Sequence, residues 1–136
     1  MAGLLKLEIV TPEGTVYSDD VELVTLPGME GQLGVLAHHV RLMTRLVPGE
    51  LLVRKNGQDE YLAVGGGLVE ITGTRVLIAT DMAIPAASID EARAEEARRL
   101  ATARLNEKIS SEEVASVNAA LARSLAQLRV RRRRRG

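Results

Sequence analysis

Glycine and proline stop at Pro85. All four prolines and eleven of the twelve glycines lie at or before that residue, and only Gly136 follows. Both residues punctuate turns and weaken helix interiors. A chain that uses them in one half and drops them in the other is built of short extended segments followed by long helices. The hydrophobic period agrees. In "LLKLEIV" Leu5, Leu7 and Ile9 alternate with Lys6 and Glu8, the period of two of a half-buried strand. "TPEG" offers a turn through Pro12 and Gly14, and "DVELVTLPG" a second strand. "ELLVRKNGQDEYLAV" reads as a hairpin because Asn56-Gly57 suits a type I′ turn, and "GLVEITGTRVLIAT" as another that breaks at Gly73. Short, closely spaced strands with nothing helical between them predict an antiparallel β-sandwich over residues 1–86.

From residue 87 to 136 the vocabulary is Ala, Glu, Arg and Leu. "SIDE" places Ser88 and Glu91, and "SSEE" places Ser110 and Glu113, at the spacing of a capping box. Two helices are expected, near 89–106 and 111–130, folded as an antiparallel hairpin. The fold class is therefore β + α. Val114, Val117, Leu121, Leu125 and Leu128 form one apolar stripe on the second helix. Ala115, Ala119, Ala122 and Ala126 run beside it, answered by Ala94, Ala97, Ala101 and Leu105 on the first. Alanine permits close helix packing but buries little area, so docking of this hairpin is expected to be weak and reversible.

The formal net charge of zero conceals a dipole. Twelve basic and all 18 acidic residues precede residue 129, leaving the body at −6, while Arg129, Arg131, Arg132, Arg133, Arg134 and Arg135 make the tail +6. Such a tail suits nucleic-acid phosphates, anionic headgroups or an acidic protein surface, including the chain's own body. Two tyrosines are the only aromatics, and an acidic body with few stacking rings counts against nucleic acid. The absence of cysteine excludes disulfides and thiolate metal sites. No signal-peptide pattern opens the chain, and no apolar run reaches the roughly 20 residues of a membrane helix.

Chemistry is scarce. No phosphate-binding loop, nucleophile elbow or zinc-protease motif is present. Gly65-Gly66-Gly67 lies between strands, where close backbone approach or a bulge explains it better than a phosphate cradle. His38 and His39, adjacent on an extended segment, point to opposite faces and do not converge on a metal. Asp90 and Arg93 share a helix face, as a surface ion pair or, with the helix N-terminus, as an anion site. A catalytic site is not expected, nor a metal site.

Four stretches, in order, carry a resemblance: "LPGMEGQLGVLAHHVRLMTRLVPGEL", "LAVGGGLVEI" followed by "VLIATD", "IDEARAEEARR" and "AQLRV". Together they resemble the epsilon subunit of F-type ATP synthases over essentially the whole chain. The resemblance implies a rotor subunit without catalysis of its own, on the cytoplasmic face of a bacterial cell membrane, linking proton flow to ATP synthesis. Its expected partners are the gamma subunit, the membrane rotor ring and, through the second helix, the alpha and beta subunits of the catalytic head. Membrane contact would be peripheral, through the complex, and nucleic acid would not be a partner. Gln32 and His39 match the ring-contact loop, with Gln32 in place of an acidic residue and Ala37-His38 in place of Pro-Gly. The hairpin can lie on the sandwich or extend and block ATP hydrolysis, which would make the six arginines an electrostatic plug for an acidic segment of the beta subunits. Ile89, Asp90, Arg93 and Ala94, with Arg123, match a regulatory ATP site found in some members. Ile84, Leu100 and Gln127 depart from that site, with Arg98, Arg99 and Arg104 nearby as substitutes, so weak regulatory ATP is the one small molecule implied. The alternative is a nucleic-acid- or anionic-surface-binding protein using the same tail.

Overall fold

The computed structural model describes residues 3–135, apart from the side chains of Arg134 and Arg135. Ten strands come first: β1 (Leu5–Thr11), β2 (Gly14–Val21), β3 (Leu23–Gly28), β4 (Gly31–Leu36), β5 (Leu42–Leu46), β6 (Gly49–Lys55), β7 (Gln58–Val64), β8 (Gly67–Ile71), β9 (Arg75–Thr80) and β10 (Ala83–Pro85). A 3-10 turn over Ala86–Ser88 then leads to α1 (Glu91–Leu105) and α2 (Ser111–Arg135).

Local chemistry sets the turns. Asn56 and Gly57 both take positive φ, 53° and 73°, which is the type I′ requirement, and β6 and β7 pair around them from Lys55–Gln58 inward. Gly14, at φ 122°, closes β1 onto β2. The ladder runs β10-β7-β6-β3-β5-β8-β9-β1-β2, with β4 attached to β3. One interior collects Leu7 and Ile9 of β1, Leu26 of β3, Leu51 of β6, Leu62 of β7 and Ile78 of β9, all fully buried. Strands from both ends of the ladder meet there, so the sheet folds over itself as a sandwich.

One pairing differs from the all-antiparallel expectation: β1 runs parallel to β9, with Leu7 opposite Val76 and Ile9 opposite Ile78. These strands are far apart in sequence, so no tight turn dictates their direction. The triglycine is a close approach, as its sequence suggests. A Cβ on Gly67 would stand 1.9 Å from the Ala79 carbonyl oxygen across the β8–β9 pair.

The helices differ from expectation in three ways. The N-cap of α1 is Asp90, whose Oδ1 accepts from the Arg93 amide at 3.1 Å. Ser88 instead ends the 3-10 turn, a placement that lets Ile89 bury against the sheet just ahead of the cap. The Ser110 cap of α2 forms as expected, accepting from the Glu113 amide at 3.1 Å. Second, Leu125 is exposed, while Ser124, Ala126, Leu128 and Val130 are buried. At 100° per residue these positions cover more than half the circumference, because α1 packs on one side of α2 and β6 and β7 on another. Third, α2 continues through the arginines. Arginine is a good helix former, a helix C-terminus favours cations, and body carboxylates relieve the like-charge repulsion.

Beneath the hairpin lies a second apolar cluster, separate from the sandwich interior. Ala63, Ala86, Ile89, Ala126 and Val130 form it, with Tyr61, Met82 and Ile84 half-buried at its edge.

Candidate functional site

A cleft of about 450 Å³ opens where the end of the sheet meets both helices. Ile89, Asp90, Arg93, Ala94 and Arg123, scattered over 35 residues of sequence, all line it, together with Asp81, Ile84 and Gln127. Asp90 and Arg93 arrive on the first turn of α1, and Arg123 reaches in from α2. The Asp90 carboxylate is committed to capping, so its link to Arg93 runs through the Arg93 backbone amide. Arg123 Nη1 faces Asp81 Oδ2 at 3.6 Å, and Gln127 Nε2 lies 3.2 Å from Met82 Sδ. Ile84 presents an apolar side chain to the cleft. The substitute bases are engaged elsewhere: Arg98 pairs with Glu95, Arg99 with Glu96, and Arg104 with Glu107 and Glu113. None of the three lines the cleft, and Leu100 is exposed. The cleft thus holds two arginines against two aspartates, with no surplus positive charge for a phosphate chain.

Two arginines of the tail, Arg132 and Arg133, lie on the body's own carboxylates. Arg132 reaches Glu95 at 3.1 Å and Glu91 at 3.5 Å across the helix pair. Arg133 Nε donates to Glu50 Oε2 at 2.6 Å, and its guanidinium stands 5.1 Å from the centre of the Tyr61 ring, a cation–π contact. Glu50 is on β6 and Tyr61 on β7, and strand alternation turns both toward α2 rather than the interior. The Glu50 side chain is only 10% exposed. The Glu50 carboxylate holds the Arg133 guanidinium further above its ordinary range. Arg129 is exposed and Arg131 half-buried, while the side chains of Arg134 and Arg135 lie outside the described residues. The sequence raised self-docking of the tail but did not single out Glu50 or Tyr61. The only available signal was that β6 begins with a charge on the face opposite Leu51 and Val53.

The two ring-contact candidates are not brought together. Gln32 is exposed near the β3–β4 tip, opposite Pro27, and His39 is half-buried past the other end of β4. His38 takes φ 67°, and its amide donates to the Gly73 carbonyl at 2.6 Å. Sequence reasoning missed the exposed apolar residues of this region. Met29, Met43, Val47 and Leu68 stand out of β5, β8 and the neighbouring turns. In β8 the alternation of Leu68 and Glu70 with Val69 and Ile71 put Leu68 on the outer face and was the available signal; β5 offers no such alternation for Met43.

Comparison with known proteins accounts for both parts. Residues 4–86 match the family described as "ATP synthase, Delta/Epsilon chain, beta-sandwich domain", and residues 88–131 match "ATP synthase, Delta/Epsilon chain, long alpha-helix domain". The chain belongs to the ATP synthase delta/epsilon family. An ATP synthase epsilon chain of Herpetosiphon aurantiacus is 42% identical over 131 residues, covering 96% of each chain. That of Herminiimonas arsenicoxydans is 41% identical over 130 residues, covering 94% of this chain and 93% of the relative. A chain in the Euglena gracilis mitochondrial ATP synthase structure superposes with a TM-score of 0.77 at 24% identity, over 90% of this chain and 78% of that one. At that identity it speaks for the fold. The family and the relatives' names make it a delta/epsilon subunit of ATP synthase, a part of that complex and not itself the catalyst. Among the described residues no helix is long and apolar enough to cross a membrane.

Proposed function

We propose that this subunit couples proton-driven rotation to ATP synthesis and that its helical hairpin restrains ATP hydrolysis when it leaves the sandwich. Residues 1–86 form the body that binds the gamma subunit and the membrane rotor ring. Gln32, His39 and the apolar residues Met29, Met43 and Leu68 are its contact surface. Residues 87–136 are the regulatory arm. The complex works at the cytoplasmic face of a bacterial cell membrane, touching it only peripherally.

One observation supports the moving arm: the helices rest on the sheet through an apolar cluster that is separate from the sandwich interior and built largely of alanine. At about 25 cal/mol per Å² such a seam contributes little, and opening it leaves the interior closed. Arg132 and Arg133 reinforce the docked position through Glu91, Glu95 and Glu50. In the extended position Arg132 and Arg133 leave these carboxylates, and the six arginines meet an acidic segment of the catalytic subunits, a role suited to the planar guanidinium fork. ATP in the cleft would bridge α1 and α2 and favour the docked position. Its binding is weak, because Ile84 and Gln127 replace charged groups and Asp81 competes for Arg123.

The test is ATP hydrolysis by a matched alpha–beta–gamma complex given either the full chain or residues 1–87. Suppression by the full chain alone is the expected result. Binding of both without suppression would remove the inhibitory arm and keep the coupling role. Failure of both to bind would remove the stalk reading.

A further inference from the structure

We infer that Asp81 sets the anion affinity of the cleft: it is a resident carboxylate that faces Arg123 and competes with any incoming phosphate group. This rests on the nucleotide reading of the cleft and deepens it. Both carboxylates in the lining carry charge into the cleft, but Asp90 is held in the α1 cap, whereas Asp81 faces a cleft guanidinium directly. It meets Arg123 across 3.6 Å, with both side chains partly exposed, at 52% and 36%. A contact of that length and exposure is weak and exchangeable. A phosphate, able to take a guanidinium bidentately, can displace it. Asp81 therefore tunes the site rather than closing it.

The position of Asp81 is built, and the triglycine builds it. Its amide donates to the Gly66 carbonyl at 3.2 Å, and the Gly65 amide donates to the Met82 carbonyl at 2.9 Å. Buried Thr80 fixes the same corner, its Oγ1 donating to the Gly66 carbonyl at 2.9 Å. A Cβ on Gly65 would fall 1.8 Å from Asp81 Oδ1. The Gly65 backbone lies outside the left-handed region, so no turn requires glycine there. Glycine leaves the room in which the carboxylate sits. The nearest atom in the way is the far end of a short, movable side chain, with Met82 Cβ next at 3.3 Å, so an added methyl swings Asp81 away from its seat while Met82 gives by a few tenths of an ångström.

The test is calorimetric titration of the full chain with ATP and, separately, with inorganic triphosphate at fixed ionic strength. The proteins are the wild type, D81N, G65A, R123Q and the double variants D81N/G65A and D81N/R123Q, each checked for an unchanged thermal transition. D81N keeps the side chain's shape and removes its charge. D81N and G65A are each expected to tighten both probes about three- to tenfold, tenfold corresponding to 1.4 kcal/mol. The double variant should gain no more than either single one, and adding R123Q to D81N should remove the gain. A purely structural role for Gly65 and Asp81 would not produce tighter binding, still less a shared gain. Unchanged or weaker binding in folded D81N overturns the proposal, even if the wild type binds ATP. Tightening of triphosphate with no preference for ATP upholds Asp81 and overturns the nucleotide reading. Failure of every variant to bind either probe overturns both.

Discussion

Gly67 and Gly65 stand two residues apart, and each excludes a methyl group for a different reason. At Gly67 the obstacle is backbone: an added Cβ meets the Ala79 carbonyl oxygen at 1.9 Å, and neither strand can retreat without breaking the β8–β9 ladder. We predict that Gly67→Ala destabilises the fold by about 1–3 kcal/mol, lowering the midpoint of chemical denaturation, whereas Gly65→Ala leaves that midpoint nearly unchanged. Equal effects at both positions would contradict the distinction. The sequence shows the triglycine and points to close packing, but not which glycine faces backbone and which faces a side chain. That depends on strands that meet only in the folded sheet. Asn56-Gly57 is the opposite case. Its two positive φ values are a local requirement of a two-residue turn, so the residue types alone disclose it. The five cleft residues were legible as a motif. Asp81 was not, because its importance comes from a neighbour 42 residues away on α2.

At the scale of the element, α2 shows how a correct helix can have a misread face. One apolar stripe describes a helix with one neighbour, and α2 has two. Val130 is fully buried in the cluster against the sheet, whereas Leu125 is 44% exposed. Val130→Ala should cost about 2 kcal/mol of hairpin docking through the cavity it leaves, and Leu125→Ala should stay within about 0.5 kcal/mol. Hydrogen exchange at the α2 amides would separate them: faster exchange in the first variant only. Acid acts on α1. The Arg98 side chain, with a smaller contribution from Arg132, holds the Glu95 carboxyl below its ordinary 4.5, and Arg99 does the same for Glu96. A carboxyl lowered in the folded protein contributes its stability above the unfolded value and loses it as pH falls through the folded one. Helicity followed by circular dichroism from neutral pH downward should therefore hold until about pH 4.5 and then decline. Glu95→Gln should flatten the first part of that decline, and an unaltered profile would show that these pairs contribute nothing.

Over the whole molecule, a −6 body and a +6 tail make the docked hairpin and the extended arm electrostatic competitors for the same arginines. Salt acts on both. The Debye length falls from about 10 Å at 0.1 M to about 3 Å at 1 M, and the contacts of Arg132 and Arg133 are all at least half exposed on the arginine side. Rising salt thus loosens the docked arm and at the same time weakens its hold on an acidic partner. The prediction is a dissociation of two readouts that are usually linked. A distance probe between the β6–β7 turn and the α1–α2 loop, in the isolated full chain, should report progressive undocking as salt rises from 0.05 to 1 M. Over the same range, inhibition of hydrolysis in the complex should fall rather than rise, although more arms are free. A full-length chain with Arg129 and Arg131–Arg135 replaced by glutamine should show neither response in that direction, because its docking rests on the intact apolar seam, Val130 included, with only the exposed Arg123–Asp81 contact beside it. Its docked fraction should also increase slightly with salt, since hydrophobic contacts are not screened. If undocking and inhibition rise together in the full chain, the arm holds its partner through apolar contact. The arginines would then serve only to keep it on the sandwich.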